Sequence, residues 1–555
     1  MKELPDVSDE NRPLICGFLK VRNEIVREGD LARVLNNLRQ FCDVIVACDD
    51  ASIDGTRAVL QREIPAEHLL LIDPAEQDFR NELAVKDRMM QIVHRLRPHF
   101  IWWADGDEEL SPEGVTAIRA FCHERLGDPA APRDPTLPKL APAYRCHYTQ
   151  LWRNATWART DYGFDDGWFV KLWRWSPDLC FDVVYRTHHA QFPRQFLGHD
   201  GELEVFPYEV IHWGNYGKNL IWKVVTYRNG LGDSNRHLHF ESASFRQVQR
   251  TSEGMPRPYT PREVELIDRV LGDMKARQQT FTVVIPTHNR GWALDETLAS
   301  LERQVYPYWI AVVLDDGSTD DTCSIMRRWQ DRDPRVFYAR YPKLGAVALN
   351  EIGMDLACEW TEYWTRLGSD DWFEPNKLLL DARALRDHAL CYGPYQVFRD
   401  GQKAELCNAP MPAEEAIRTL GRGGFVLSWA NIAARTSALR EVKRRWGSHV
   451  DPRLVNMEDF LSNYRLTRVA RPVWRGVHGD ELYVDPTAEQ IQYIRFHAND
   501  MKPEAYWRVS ADGASSNNSQ TSSDDQVTRD LIARDEAAAM VATHGHVGAC
   551  TPAGA

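Results

Sequence analysis

Apolar residues along the chain fall into short runs at two alternating spacings, and one stretch shows the scheme plainly. Phe281-Thr282-Val283-Val284-Ile285 is apolar and β-branched, is bounded by Pro286, and reads as a buried strand. Leu294, Leu298 and Leu301 then recur at helical spacing, and Ile310 to Leu314 forms the next apolar run. That run empties directly into Asp315-Asp316-Gly317-Ser318-Thr319-Asp320. A carboxylate pair at the C-terminal end of a parallel strand stands where open α/β sheets bind ligands. Taken by itself, such a turn is better explained by helix capping.

The scheme occurs twice. Residues 13–56 repeat strand, helix and strand, and end on Asp49-Asp50-Ala51-Ser52-Ile53-Asp54-Gly55-Thr56. Each copy is followed by an aromatic run that ends in acids. The first is Ile101-Trp102-Trp103-Ala104-Asp105-Gly106-Asp107-Glu108-Glu109, the second Tyr363-Trp364-Thr365-Arg366-Leu367-Gly368-Ser369-Asp370-Asp371. Repetition of a two-part pattern predicts two α/β domains of one kind. The expected division is a first domain over 12–230, a linker and helix over 231–279, a second domain over 280–500 and a tail over 501–555. The Ser-, Asn- and Asp-rich composition after Ala511 predicts disorder there.

Composition narrows the class. A chain of 555 residues has room for two or three domains with full cores. A formal net charge of -13 argues against a nucleic-acid backbone as the main partner, though not against a local basic groove. No apolar run approaches the roughly 20 residues that span a bilayer. The polar, acidic opening from Met1 to Pro13 carries no secretory pattern, and 11 cysteines without a CxxC pair suit reduced thiols. A cytoplasmic protein is expected, free or peripheral at the inner membrane face.

With both copies in view, the chain resembles the family 2 glycosyltransferases, which have the nucleotide-sugar-binding GT-A fold. Val283 to Arg290 matches the VVIPTHNR-type opening strand, and Asp315 to Thr322 matches the DDGSTDDT turn. Gly368 to Asp371 stands at the acidic metal motif, and Asn456-Met457-Glu458-Asp459-Phe460-Leu461 at the Glu-Asp motif that supplies a base. The first copy is similar to the branch with VRNE openings and DxDE acids. The resemblance covers about residues 12–230 and 280–485. It implies an α/β fold of two tandem GT-A, Rossmann-like domains followed by a disordered tail.

A nucleotide-sugar transferase must hold the nucleotide, neutralise the diphosphate and deprotonate the acceptor. For the first task, a carboxylate at a strand end can accept a hydrogen bond from a base N–H: Asp315 or Asp316 in the second copy, Asp49 or Asp50 in the first. The resemblance also places Thr287, Arg290 and Asn350 around the donor, and Arg22, Glu24, Arg80 and Asn81 in the first copy. For the second task, hard oxygen ligands select Mg²⁺ or Mn²⁺. Asp105 and Asp107 form a DxD in the first copy. Asp370 and Asp371 stand in the second, where Gly368 replaces the first acid of the usual motif. His212 and His478 lie where such enzymes often place a third ligand or a diphosphate contact.

For the third task, Asp459 is expected as the general base, with Glu458 orienting it or the acceptor. Arg475 and His478 resemble the family's YRxH element with one extra residue between them. The first copy has no such acid pair, and Asp161, Asp165, Asp166, His188 and His189 stay open as candidates. Lys171-Leu172-Trp173-Arg174 occupies the place of an RLFR-like strand. The resemblance implies an inverting, metal-dependent transfer from a nucleotide-diphosphate sugar, a UDP-sugar first among them. Glycans, lipid-linked sugars, proteins and modified nucleobases of DNA remain as acceptors, and the first domain is either a second transferase or a non-catalytic binding module. A nucleotidyltransferase would need a Gly-rich basic phosphate loop, which neither opening provides.

Overall fold

A computed structural model describes residues 12–26, 31–73, 82–126, 143–153, 157–160, 168–181, 203–216, 245–247, 260, 279–399, 402–407, 410–422, 427, 429–454, 458–478, 481–496, 501–503, 505–509 and 531–532. The chain divides into two units, Met1–Asp273 and Met274–Ala555. The first runs β1 (Ile15–Val21), α1 (Leu31–Phe41), β2 (Val44–Asp49), α2 (Thr56–Glu63), β3 (Leu69–Leu71), α3 (Glu82–Leu96), β4 (Phe100–Asp105), β5 (Glu108–Leu110), α4 (Pro112–Glu124), β6 (Ala143–Arg153), β7 (Trp157–Arg159), β8 (Trp168–Arg174), β9 (Glu204–Tyr216) and β10 (Phe245–Gln247).

The second unit begins with β11 (Phe281–Thr287), α5 (Gly291–Glu302), β12 (Trp309–Asp315), α6 (Thr322–Arg332), β13 (Val336–Arg340), α7 (Ala346–Trp360), β14 (Tyr363–Arg366), β15 (Trp372–Phe373) and α8 (Lys377–Leu385). It continues with β16 (Leu390–Tyr392), β17 (Tyr395–Arg399), β18 (Gln402–Cys407), α9 (Ala413–Gly421), β19 (Ile432–Arg435), α10 (Thr436–Trp446) and α11 (Glu458–Val469). It ends with β20 (Pro472–His478), β21 (Glu481–Val484), α12 (Ala488–Phe496), β22 (Met501–Lys502) and β23 (Ala505–Val509).

Both units are built on one plan. In the first, β3, β2, β1 and β4 lie side by side and parallel, and β8 pairs antiparallel with β4. In the second, β13, β12, β11 and β14 repeat that order and β19 takes the antiparallel place. This is the Rossmann-like α/β architecture that the two repeated patterns predict. Leu294, Leu298 and Leu301 of α5 are buried against Phe281, Val283 and Ile285 of β11. Each such side chain contributes about 1.5–3 kcal/mol on leaving water. Strands β2 and β12 are buried along their whole length, so their ends carry the acids to the C-terminal edge of each sheet.

Two boundaries differ from expectation. Phe245–Gln247, inside the expected linker, pairs with β7 and extends the first unit's sheet. Past residue 500, β22 pairs with β20, and β23 lies between β15 and β17 in a four-stranded sheet ordered β15-β23-β17-β18. The expected tail begins there, but Ala505 is buried in the core of the second unit. Of the expected tail beyond Val509, Leu531 and Ile532 are helical and buried, and the rest lies outside the described residues. Among the described residues, no helix is long and apolar enough to cross a membrane.

Candidate active site

The two acidic turns are held by the same backbone lock. Asn23 donates its N–H to Ser52 Oγ (2.9 Å), and its Oδ1 accepts from Ile53 N–H (2.9 Å). Asn289 repeats both bonds with Ser318 Oγ and Thr319 N–H, each at 2.8 Å. Both asparagines sit at left-handed φ, 53° and 52°, a conformation asparagine tolerates better than other side chains with a Cβ. The lock fastens the loop after the first strand to the acidic turn, which places residues 22–24 and 288–290 beside it.

In the second unit Asp315 is spent on this turn. It is fully buried, and it accepts from Ser318 N–H (2.8 Å) and Tyr338 Oη (2.6 Å). Asp316 accepts from the Leu344 N–H (2.5 Å) and the Gly345 N–H (3.0 Å) and is 7 % exposed. Thr287 is buried beside them, its Oγ1 without a partner. Arg290 Nε lies 3.4 Å from Asp370 Oδ2, which joins an expected donor residue to an expected metal ligand.

The glycine at 368 has a physical reason. A Cβ there would come within 2.3 Å of Asp371 Oδ2, so the last acid of the motif occupies the space of the missing first one. Thr297 Oγ1 of α5 holds the motif in place by donating to the carbonyls of Ser369 (3.0 Å) and Asp371 (2.8 Å). His478 does not join this group. It is buried at the end of β20 against the rings of Tyr483 and Tyr493, and Asp370, Asp371 and His478 do not converge as a three-ligand set. Arg475 is fully buried and donates to Asp381 and Asn431 (2.7 Å each), beside Lys377, as a core tie.

Asp459 opens α11, and its Oδ1 accepts from Phe460 N–H (2.8 Å). Burial raises its pKa, and Arg366 pulls the other way. Glu458 begins the same helix, and its side chain lies outside the described residues. Arg366 Nε donates to Asn350 Oδ1 of α7 (3.2 Å), and its guanidinium lies 4.9 Å from the ring centre of Trp429. Asn350 is 1 % exposed and its Nδ2 has no partner. Glu351, next along α7, accepts from the N–H groups of His449 and Val450 (2.8 Å each) and so ties down the loop that leads to α11. Glu351, Asp355 and His449 have ligand-like spacing, but Lys443 already bridges them, 3.2 Å from Glu351 and 2.5 Å from Asp355.

In the first unit Asp49 is fully buried and held by Arg57 Nε (2.7 Å), while Asp50 pairs with Lys20 Nζ (2.8 Å). Glu24 packs against the acid motif itself: a Cβ on Gly106 would lie 2.5 Å from its carboxyl carbon. The Arg22 N–H donates to Glu24 Oε1 (3.4 Å). Glu108 is buried and accepts from Lys171 Nζ (2.7 Å), the Asp105 N–H (3.0 Å) and the Tyr148 hydroxyl. Burial pushes its pKa up to about 7 against the pull of Lys171, with Asp105 and Asp107 adding to the rise. Desolvation works against the charge of Asp105, and Lys171, Lys86 and His212 overcome it, holding the carboxyl at about 2.

Asp107 Oδ2 lies 3.6 Å from His212 Nε2, and Asp107, Glu108 and His212 form a compact ligand-like group. His212 Nδ1 faces Gln150 Oε1, which orients the ring with Nε2 toward Asp107. Glu108 is already surrounded by donors, so a cation at this group would meet chiefly Asp107 and His212, with Asp105 beside them. That donor set fits Mg²⁺ or Mn²⁺. In the second unit Asp370 faces a guanidinium instead, and the acids present do not by themselves make such a set.

Arg80, Asn81, Asp161, Asp165, Asp166, His188 and His189 lie outside the described residues. Sequence reasoning missed Lys86, Gln150 and Arg366. Lys86 and Asn350 stand equally far from the ends of α3 and α7, and the strand registers equate Trp103 with Arg366, so alignment of the repeats would have found these places. A cavity of about 600 Å³ lined by Trp360, Glu362, Arg386 and Arg435 opens at the opposite, N-terminal edge of the second sheet, away from the acids.

Residues 282–443 match the model "Glycosyl transferase family 2". An uncharacterized glycosyltransferase of Rickettsia conorii is 21 % identical over 271 residues, 48 % of this chain and 40 % of that protein. Validoxylamine A glucosyltransferase of Streptomyces hygroscopicus subsp. jinggangensis is 46 % identical over 67 residues, 12 % of this chain and 16 % of that one. Among solved structures, S. aureus TarS 1–349 in complex with UDP-GlcNAc aligns with a TM-score of 0.33 and 18 % identity, over 43 % of this chain and 61 % of that one. The chain spans less than half the length of the curated relatives it matches.

Proposed function

We propose that the second unit, which matches the family 2 glycosyltransferases over residues 282–443, transfers a sugar, with inversion, from a nucleoside-diphosphate donor to a hydroxyl acceptor. What supports this is the convergence at one sheet edge of Thr287, Asp316, Asn350 and the Arg290–Asp370 pair, with Asp459 in the field of Arg366. Asp316 would accept the base N–H, Thr287 and Arg290 would flank the nucleotide, and Asn350 would meet the diphosphate.

The acceptor oxygen forms a bond to the anomeric carbon as the bond from that carbon to the diphosphate oxygen breaks. The acceptor proton passes to the Asp459 carboxylate, and the nucleoside diphosphate leaves with the bonding pair. Burial makes Asp459 a stronger base than an exposed aspartate, which suits a proton that loosens only as the new bond forms. Glu458 orients Asp459 or the acceptor.

A divalent ion, Mg²⁺ or Mn²⁺, would supply charge stabilisation for the diphosphate when bound. In the first unit Asp105, Asp107 and His212 would hold it. In the second, Asp370 and Asp371 are the acids at hand, and Arg290 and Arg366 already bring positive charge to the edge. The first unit is read as a second nucleotide-sugar site, catalytic or binding only, with Asp50, Arg22 and Glu24 around the donor. A UDP-sugar is the donor proposed first. The acceptor is a glycan or lipid-linked sugar, with a modified nucleobase as the alternative.

The test is incubation of the full chain with a panel of nucleotide sugars and Mn²⁺, with detection of free nucleoside diphosphate. Release that rises with an added glycan or lipid-linked acceptor supports transfer. No release from any donor, with or without acceptors, sinks the reading and leaves a binding protein.

A further inference from the structure

Lys171 is more than the partner of buried Glu108. Strand β8 pairs with β6 so that Tyr144 faces Leu172 and the next residue, Arg145, faces Val170, which leaves Lys171 as the extra residue of a β-bulge. A bulge re-aims the side chain it carries. Here it turns a lysine, between the buried apolar Val170 and Leu172, toward the acid motif. The ammonium lies 2.7 Å from Glu108 Oε2 and 3.5 Å from Asp105 Oδ2, with the ring centres of Trp103 and Tyr148 at 4.7 and 5.4 Å. Its side chain is only 3 % exposed. Two carboxylates and two rings thus fix one positive charge beside the place where Asp107 Oδ2 and His212 Nε2 converge, 3.6 Å apart. The fold does not demand a cation there. Continuing the strand register by one residue puts Ile432 in the corresponding place of the second unit.

Resting on the reading of the first unit as a nucleotide-sugar site, we propose that Lys171 is a built-in competitor of the divalent ion. Its ammonium keeps the affinity of the acids for Mn²⁺ or Mg²⁺ low until a nucleoside diphosphate adds its own negative charge. Like charges a few ångströms apart repel strongly where water is excluded. Lys171 is buried and held on several sides, so its charge stays beside the acids. It also engages Asp105, which leaves Asp107 and His212 as the chief ligands. A diphosphate at the same edge offsets the ammonium, and the ion then enters net negative surroundings. Ion and nucleotide therefore arrive together and leave together, and the spent diphosphate is not trapped on a cation that stays behind. The same acids without the lysine would hold an ion between turnovers. Lys171 acts through the acids and is a positioning residue.

The experiment titrates the full chain with Mn²⁺, alone and with UDP present, and follows the free ion by electron paramagnetic resonance. Binding that disappears in Asp107→Asn belongs to the first unit. There UDP should tighten wild-type Mn²⁺ binding by about tenfold or more. Lys171→Met should tighten binding of Mn²⁺ alone by about tenfold or more. Lys171→Gln, which keeps a donor for Glu108, should do the same, and Lys171→Arg should stay near the wild type. A lysine that merely propped up Asp105 and Glu108 would give the opposite sign, because its loss would scatter the acids and weaken the ion. Weaker or unchanged Mn²⁺ binding in either neutral variant, with folding checked by circular dichroism, overturns the proposal. So does a wild-type site that binds Mn²⁺ as tightly without UDP as with it, a result that needs no variant to fold. If Asp107→Asn removes no Mn²⁺ binding at all, the metal reading of the first unit fails, and the role of Lys171 falls with it.

Discussion

The two units share a skeleton and differ in the charges they hang on it. The asparagine lock, the acidic turn and the parallel strand order coincide, so equivalent positions can be compared one by one. Glu24 and Arg290 occupy the same place after that lock, and both reach the acid motif, one with a carboxylate and the other with a guanidinium. Asp105 of the first unit corresponds to Gly368 of the second, and Trp103 to Arg366. In the first unit a lysine from α3, Lys86, lies 4.4 Å from the ring centre of Trp103; in the second, the strand supplies the cation and a neighbouring turn supplies the tryptophan. The first site is therefore acid-rich, with a histidine beside the acids and buried lysines behind them. The second lacks two of those acids, at 290 and 368, and carries arginines at 290 and 366. The fold fixes where charge can be presented, and side-chain choice at a few equivalent positions sets its sign.

This contrast can be broken or sharpened by substitution. The largest effect is expected from Asp459→Asn, a loss of about 10²–10⁴-fold in kcat of the second unit with donor affinity nearly intact, as steady-state rates and nucleotide calorimetry would report. Abolished nucleotide binding would instead make Asp459 a donor residue. Gln150→Ala removes the acceptor that orients His212, and should weaken Mn²⁺ binding to the first unit by about 10–100-fold in a metal titration, leaving the second unit's turnover unchanged. Exchanging the charges, Glu24→Arg and Arg290→Glu, should move Mn²⁺ affinity in opposite directions, down in the first unit and up in the second, each by about tenfold. Equal shifts in both would dissolve the comparison. Smallest of all, Gly368→Asp should cost about 1–3 kcal/mol in chemical denaturation, because its side chain displaces Asp371.

Much of the skeleton was legible in the sequence because burial and repetition both write themselves into spacing. The strand ends at Asp49 and Asp315 and the helical face of Leu294, Leu298 and Leu301 follow from apolar periodicity alone. The site was legible as positions more than as roles. Nothing in the string DDGS says that Asp315 is held by Tyr338, a residue from the next strand, while Asp316 accepts from the Leu344 and Gly345 N–H groups. Nor does GSDD reveal that Asp371 folds back into the space of the absent acid. His478 is expected as a ligand from its place in the chain, and nothing in that place tells that it packs beside two tyrosine rings. These outcomes depend on contacts between residues distant in sequence, which periodicity and motif spacing do not encode.

The late strand Ala505–Val509 has a practical consequence. It runs between β15 and β17, and Tyr506 stacks on Trp372, the residue after Asp371, with ring centres 4.9 Å apart. A shortened version of the protein cut near residue 500, the expected end of the second domain, would strip both neighbours of their partner and leave two open sheet borders and a bare indole next to the acids. Such a truncate would be prone to clump, and its silence in an assay would say nothing about the chemistry of the whole chain.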